Sequence, residues 1–292
     1  YGPYPYSSLS IVVPPEQGNG AGGMEYPTLI TAFGADGTSP DMSLERTVIH
    51  EIGHQYFYGM IANNEFEEAW LDESFTSYAE DKLMEKEYGI TANLPIQASL
   101  VQKPEPLNQE TWRYKGADVY TQNVYIRGKL VLKDIEHRIG TKTMDAVLSA
   151  YAQKYRFRHP TTYDFQKTIE KVTGKSWKSY FDQYIYSGGA PDFSLDNISV
   201  IRNENQKKSD PNLYESQVKV GNKGAYYPNV TLKFTFTDGH TMKRVWDGQG
   251  PETTFQLFYN APLLSAEIDP QHSILLENKH RRYLGIRPLN RN

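Results

Sequence analysis

Two imidazoles four residues apart, His50 and His54, flank a carboxylate, Glu51, and eighteen residues separate His54 from another carboxylate, Glu73. On a helix, residues four apart differ by roughly 40° in direction and about 6 Å in rise, so both rings project from one face and can grip one ion. Glu51 stands one step round, beside such an ion rather than on it. Two neutral imidazoles and a carboxylate suit zinc, and three protein ligands leave a fourth position for water, the arrangement of a catalytic site. A structural zinc site is normally closed and usually contains thiolates, whereas this chain has no cysteine. Two histidines on an amphipathic helix also occur as ordinary packed or surface side chains. Glu73 tips the balance, because it lies in its own helical run, residues 69–82. Its spacing from His54 accommodates a connection and a second, antiparallel helix that returns a carboxylate to the same point. His50, His54 and Glu73 are therefore the candidate ligands of one zinc ion.

The elements that must position these groups follow from the flanking sequence. Ser39-Pro40-Asp41 reads as a helix start, with an N-cap candidate, proline at the first helical position and an acid in the first turn. Leu44, Val48 and Ile52 recur at four-residue spacing and predict a buried stripe on the helix that carries the histidines, which fall on another face. The helix of Glu73 continues to Gly89, a plausible stop. Upstream, Leu9 to Val13 is a short apolar strand between prolines, followed by a Gly-rich loop that leads to Glu25. Residues 93–118, with Pro95, Pro104 and Pro106, read as irregular or short-helical. Helices follow from Val124 with a break at Gly140, then over 163–172 and 176–186. Beyond Pro191 the period changes. Val230, Leu232, Phe234 and Phe236 alternate with polar residues, Asp238-Gly239 predicts a hairpin into 241–246, and further strands are expected over 195–201, 215–220, 253–258 and 273–276. Lys279-His280-Arg281-Arg282 reads as a solvated basic end.

The run from His50 to Glu73 resembles the gluzincin metallopeptidases. Gly22-Gly23-Met24-Glu25-Tyr26 resembles the Gly-Ala-Met-Glu-Asn signature of zinc aminopeptidases related to alanyl aminopeptidase and leukotriene hydrolase, and Tyr125-Ile126-Arg127-Gly128 resembles that family's Tyr-x-Lys-Gly. The likeness runs on to Gly188-Gly189-Ala190-Pro191, where the family's catalytic domains end, and so covers most of the chain. Tyr26 stands where the family has Asn, and Arg127 where it has Lys. The resemblance implies an α+β protein with a thermolysin-like, mainly helical catalytic domain containing a small sheet, residues 1–190. An antiparallel β-sandwich, residues 191–292, would follow it. It also implies an aminopeptidase that binds one zinc ion and acts on a peptide. Glu51 would be the base, and Tyr125 would stabilise the oxyanion. Glu25 would bind the free amine, and Gly22, Gly23 and Met24 would run along the substrate backbone.

From the residues alone, other assignments stay open. Without the resemblance, Glu25 reads first as an exposed charged residue on an edge strand, where charge discourages aggregation. The chain has 22 tyrosines, so Tyr125 rests on the motif, with Tyr114 and Tyr120 as alternatives. The Tyr26 departure leaves room for an endopeptidase. A non-catalytic interaction module would keep the fold with a degraded site, but His50, Glu51, His54 and Glu73 are all intact.

A length of 292 residues predicts two domains. The net charge of -4 offers no basic footprint for nucleic acid, and no apolar run is long enough for a membrane span. Neither this nor the lack of cysteine decides the compartment. The chain opens on Tyr1 rather than Met and is expected to be a fragment or processed form. The family's amino-terminal β-domain, which adds residues to the amine site, is expected upstream of it.

Overall fold

In the computed structural model, the described residues are 1–34, 42–189, 191–204, 212–223, 229–247, 250–271 and 283–285. By internal contacts the chain divides into two compact units, Tyr1–Gly188 and Gly189–Asn292. The protein mixes helix and sheet, as an α+β chain does, with the helices in the first unit and antiparallel strands in the second. No helix among the described residues is long and apolar enough to cross a membrane.

The first unit begins with two short parallel strands, β1 (Ser10–Val12) and β2 (Leu29–Thr31). Nine α-helices follow among the described residues: α1 (Ser43–Gly53), α2 (Glu65–Glu68), α3 (Trp70–Tyr88), α4 (Leu94–Leu100), α5 (Ala117–Thr121), α6 (Gly128–Ile139), α7 (Thr141–Tyr155), α8 (Thr162–Thr173) and α9 (Lys178–Tyr184). The central element is α3. Its apolar residues do not keep to one stripe, and Trp70, Phe75, Tyr78 and Met84 are all fully buried. Phe75 lies 4.8 Å from Phe165 of α8 and 5.3 Å from Phe57, centroid to centroid, which makes an aromatic core around the helix. The Trp70 indole N–H donates to Thr162 Oγ1 at 2.8 Å. Polar side chains on a helix buried this deeply need partners. Asp81 has Lys129, Lys133 and Arg46 at 3.3, 3.4 and 3.6 Å.

Several boundaries agree with the sequence expectations. Gly89 ends α3 with φ 68°, Gly140 separates α6 from α7 with φ 81°, and α8 opens on a Thr161–Asp164 capping box. The expected buried stripe of α1 is overturned. Leu44, Val48 and Ile52 are only half-buried, whereas Glu51 and Gly53 are buried. The reason is the face that α1 turns to α3: a Cβ at Gly53 would come within 2.9 Å of Thr76 Cγ2, so the backbones approach where a side chain cannot fit. Ser39, Pro40 and Asp41, read as the helix start, lie outside the described residues, as do residues 273–276 and 279–282.

The second unit has two antiparallel sheets. One has the order β3 (Phe193–Arg202), β4 (Tyr214–Asn222), β7 (Glu252–Tyr259). The other has β6 (Thr241–Trp246), β5 (Val230–Phe236), β8 (Leu263–Ile268), β9 (Tyr283–Gly285). The alternation in β5 is exact, with Val230, Leu232, Phe234 and Phe236 inward, and these pack with Phe193, Val218, Val220 and Leu257 of the other sheet in one core. Strands β8 and β9 were not expected from the sequence.

Candidate active site

Helix α1 delivers His50 and Glu51, with His54 at its C-cap, and the first turn of α3 delivers Asp72 and Glu73. His50 Nε2 and His54 Nε2 lie 3.2 and 3.3 Å from the same oxygen, Glu73 Oε2. A tetrahedral ion with bonds of about 2.0–2.1 Å sets its ligand atoms about 3.3 Å apart. Both edges that meet at Glu73 Oε2 thus have the length of a zinc tetrahedron's edge, and the set of two nitrogens and one oxygen fits that metal. A ring that offers Nε2 to an ion carries its proton on Nδ1, and both rings have an acceptor there. His54 Nδ1 has Asp72 Oδ1 at 2.5 Å and the Phe57 carbonyl at 3.1 Å, and His50 Nδ1 has Glu80 Oε2 at 3.3 Å. Such acceptors fix the tautomer and the ring plane. Glu80 in turn accepts from Arg46 at 2.8 Å.

These contacts hold Glu73 ionised. Burial alone would raise its pKa, but the hydrogen bonds from His50 and His54 outweigh burial and bring it down to about 2. Glu51 shows the opposite balance. Burial pushes it up to about 7 against the pull of His54 and His50, and its Oε2 is buried with no hydrogen-bond partner. A carboxyl so placed exchanges a proton readily near neutral pH.

Around this centre is a cleft of about 480 Å³, lined by Gly23, Met24, Glu25, His50, Glu51, His54, Glu73 and Tyr125 together with Arg46, Ser77, Glu80 and Lys129 among others. Gly22 does not line it. Residues 23–25 approach α1 closely: Gly23 has φ +76°, and a Cβ there would lie 3.7 Å from Glu51 Oε1. Two anchors hold this segment. Gly23 N–H donates to the Thr31 carbonyl and Thr31 N–H to the Met24 carbonyl, both at 2.9 Å, which ties it to β2. The fully buried Gln55, next to His54, accepts from Thr28 N–H at 2.8 Å and donates to the Tyr26 carbonyl at 3.3 Å. Glu25 is half-buried, and burial raises its pKa while His54 opposes.

Tyr125 comes to the site by an irregular route. Residues Gln122–Arg127 form a π-helical turn between α5 and α6, a feature frequent at functional sites. The Tyr125 ring stacks 5.9 Å from His50, its hydroxyl donates to Glu73 Oε1, and burial with the adjacent Glu73 charge raises its pKa, so it remains a donor. The turn is pinned on both sides. Ser74 of α3 donates to the Val124 carbonyl and packs where a Gly128 side chain would stand. Arg127, almost fully buried, donates to the carbonyls of Glu105, Tyr184 and Ser187 at 3.1, 2.7 and 3.3 Å. Among the other tyrosines considered, Tyr114 has its hydroxyl on the Pro106 carbonyl, and Tyr120 lines a different cavity.

Sequence reasoning missed Asp72, Glu80, Gln55 and Glu65. A signal for Glu80 existed, since it lies seven residues after Glu73 and therefore on the same helix face. Glu65 of α2 brings its carboxylate to those of Glu25 and Asp72, with one oxygen of each within 4.8 Å of the others. No signal in the sequence pointed to that convergence.

Comparison with known proteins identifies a family. Over residues 1–184 the chain matches the model described as "Peptidase family M1 domain". It is similar to human aminopeptidase B (25% identity over 225 residues, 67% of this chain and 33% of that protein). It is also similar to human glutamyl aminopeptidase (25% over 211 residues, 68% and 22%). The chain thus spans a third or less of the length of these relatives. Among solved structures its fold resembles that of Legionella pneumophila aminopeptidase A, crystallised with aspartic acid, at a TM-score of 0.67 and 15% identity, covering 92% of this chain and 31% of that one. A family match over more than half of the chain, containing the whole histidine and carboxylate constellation, means that this protein belongs to peptidase family M1.

Proposed function

We propose that the chain carries the catalytic centre of a zinc-dependent aminopeptidase, which hydrolyses the amino-terminal bond of a peptide with water. Residues 1–190 would form its catalytic domain and residues 191–292 a sandwich domain. The observation that carries this function is the gathering of an unpartnered carboxylate, Glu51, a tyrosine hydroxyl, Tyr125, and an acidic group, Glu25, in one cleft with a three-donor set of zinc dimensions. Membership of family M1 and the aminopeptidase names of its relatives support it.

His50, His54 and Glu73 would hold the ion. Bound zinc supplies Lewis acidity to a carbonyl oxygen and to water at the site. Glu51 takes a proton from the attacking water and passes it to the leaving amine. Tyr125 redirects the hydrogen bond donated by its hydroxyl from Glu73 to the carbonyl oxygen as that atom gains negative charge, which favours the transition state over the ground state. Glu25 pairs with the substrate's ammonium group and so fixes the register at the first peptide bond. Gly23 and Met24, which line the cleft, would run along an extended substrate, whereas Gly22, expected beside them, lies outside it.

The test compares kcat/KM for an aminoacyl fluorogenic amide and for an internally quenched, N-acetylated peptide. An aminopeptidase cleaves the first and ignores the second. Preference for the acetylated peptide would make the protein an endopeptidase.

A further inference from the structure

Three elements each place a second side chain in the cleft about one helical turn beyond the group they give to the centre. Arg46 stands four residues before His50, Ser77 four after Glu73 and Lys129 four after Tyr125, and all three line the cleft. They share one end of it. Helices α1 and α3 run antiparallel, since His54 meets Asp72, His50 meets Glu73 and Arg46 meets Glu80. Lys129 joins Arg46 through Asp81, the neighbour of Glu80, at 3.3 Å. Glu25 belongs to the opposite end, with a carboxylate oxygen within 4.8 Å of one of Asp72. Along the cleft the order is therefore Glu25, the metal donors, then Arg46 and Lys129. That far end is cationic: Arg46, Lys129 and Lys133 face two carboxylates, Glu80 and Asp81. The fully buried Asp81 is shared by all three cations, so its charge is met without Lys129. The Lys129 side chain is only 10% exposed, and among the described residues Asp81 is its one carboxylate partner. An ammonium has three hydrogens to donate, and a cation buried with a shared partner gains from a further anion.

Resting on the aminopeptidase function above, we propose that Lys129, with Arg46, binds the free carboxylate at the end of a short peptide, so that the protein favours di- and tripeptides over longer chains. With the substrate's ammonium at Glu25 and its first carbonyl at the metal donors, the leaving fragment runs toward Lys129. An extended chain advances about 3.3–3.4 Å per residue and a helical turn about 5.4 Å, so the carboxylate meets Lys129 one or two residues past the scissile bond. A guanidinium and an ammonium both make charge-assisted hydrogen bonds to a carboxylate. In a longer peptide the same place is taken by a neutral amide, which leaves the surplus cation unmet. An aspartate side chain on the first leaving residue offers the same chemistry as the chain end, and the test separates the two.

Lys129→Met keeps the length and removes the charge, and Arg46 is left intact because it also holds Glu80. Release of leucine gives kcat/KM for leucylglycine, leucylglycylglycine and their carboxamides, and for leucylaspartate amide against leucylasparagine amide. On the zinc-loaded protein, calorimetry compares bestatin, a non-hydrolysable dipeptide analogue that ends in a free carboxylate, with its carboxamide. The wild type is expected to favour each free acid over its carboxamide about ten- to a hundredfold, the size of one charge-assisted hydrogen bond. Lys129→Met should bring that ratio close to one, with zinc content and turnover of the carboxamides unchanged, and Lys129→Arg should restore it. Lys133→Met removes another partner of Asp81 at a residue that does not line the cleft, and it should keep the wild-type ratio. A Lys129→Met protein that loses acid and carboxamide turnover alike, or a Lys133→Met protein that loses the preference equally, would make Lys129 a structural residue and overturn the proposal. A preference confined to the aspartate side chain would overturn it in favour of side-chain selection. A wild type that cleaves acids and carboxamides equally overturns this site while the aminopeptidase function stands. A wild type that cleaves none of them, yet prefers bestatin to its carboxamide through Lys129, supports the site and overturns the function.

Discussion

Gly128→Ala is expected to destabilise the protein strongly although it adds a single methyl group. An ideal Cβ at Gly128 would overlap Ser74 Oγ and lie 2.7 Å from Ser74 Cβ. Both neighbours belong to a fully buried residue on the central helix α3, so neither can swing into solvent. Relief has two routes. The helices can part, and inserting a methyl into a packed core costs about 1–3 kcal/mol. Alternatively Ser74 can turn away from the Val124 carbonyl, leaving a buried acceptor unsatisfied at about 1–3 kcal/mol. Either route bears on the π-helical turn that carries Tyr125, and either costs about 1–3 kcal/mol. For a cooperative unit of this size, each kcal/mol lowers Tm by roughly 2–4 °C, so a fall of about 2–12 °C is expected. Differential scanning calorimetry of the wild type, Gly128→Ala, Ser74→Ala and the double variant measures it. The double variant should cost less than the two single costs added, because part of the overlap is removed. A Gly128→Ala protein that melts with the wild type would refute this packing, and with it the account of how Tyr125 is held.

His50→Ala and Glu73→Ala should lose zinc, whereas Glu51→Gln should keep zinc and lose turnover; metal analysis of the purified variants decides, and a metal-free Glu51→Gln beside a fully loaded Glu73→Ala would reverse the ligand assignment. Glu80→Gln should weaken zinc binding about 10–100-fold by releasing the Nδ1 side of His50, read by competition with a chelator of known affinity. Glu25→Ala should cost roughly 2–5 kcal/mol in kcat/KM for free-amine substrates, about thirty-fold to a few thousandfold, because the ammonium loses its partner in a half-buried site. An exposed structural carboxylate would leave the same variant nearly silent.

Much of the site could be read in order along the chain, because its geometry is local. The helical period fixes how His50 and His54 share a face, Gly89 and Gly140 interrupt helices by their own backbone preferences, and the alternation in β5 is a property of strands. Other features depend on partners remote in sequence. The half-buried stripe of α1 follows from Gly53 meeting Thr76, which no periodicity in α1 reveals. Tyr125 reaches Glu73 through a π-helical turn held by Ser74, fifty residues before its partner Val124, and by Arg127, whose partners are the carbonyls of Glu105, Tyr184 and Ser187. Asp72 and Glu80 became orienting groups, Gln55 a clamp on the Glu25 segment, and Glu65 a neighbour of Glu25, only when separate elements packed. The sequence by itself determined which side chains can bind a metal, since that needs donor type and helical spacing. Tertiary structure decided which charges are buried together, because burial and the pairing it compels arise only between surfaces that folding brings into contact.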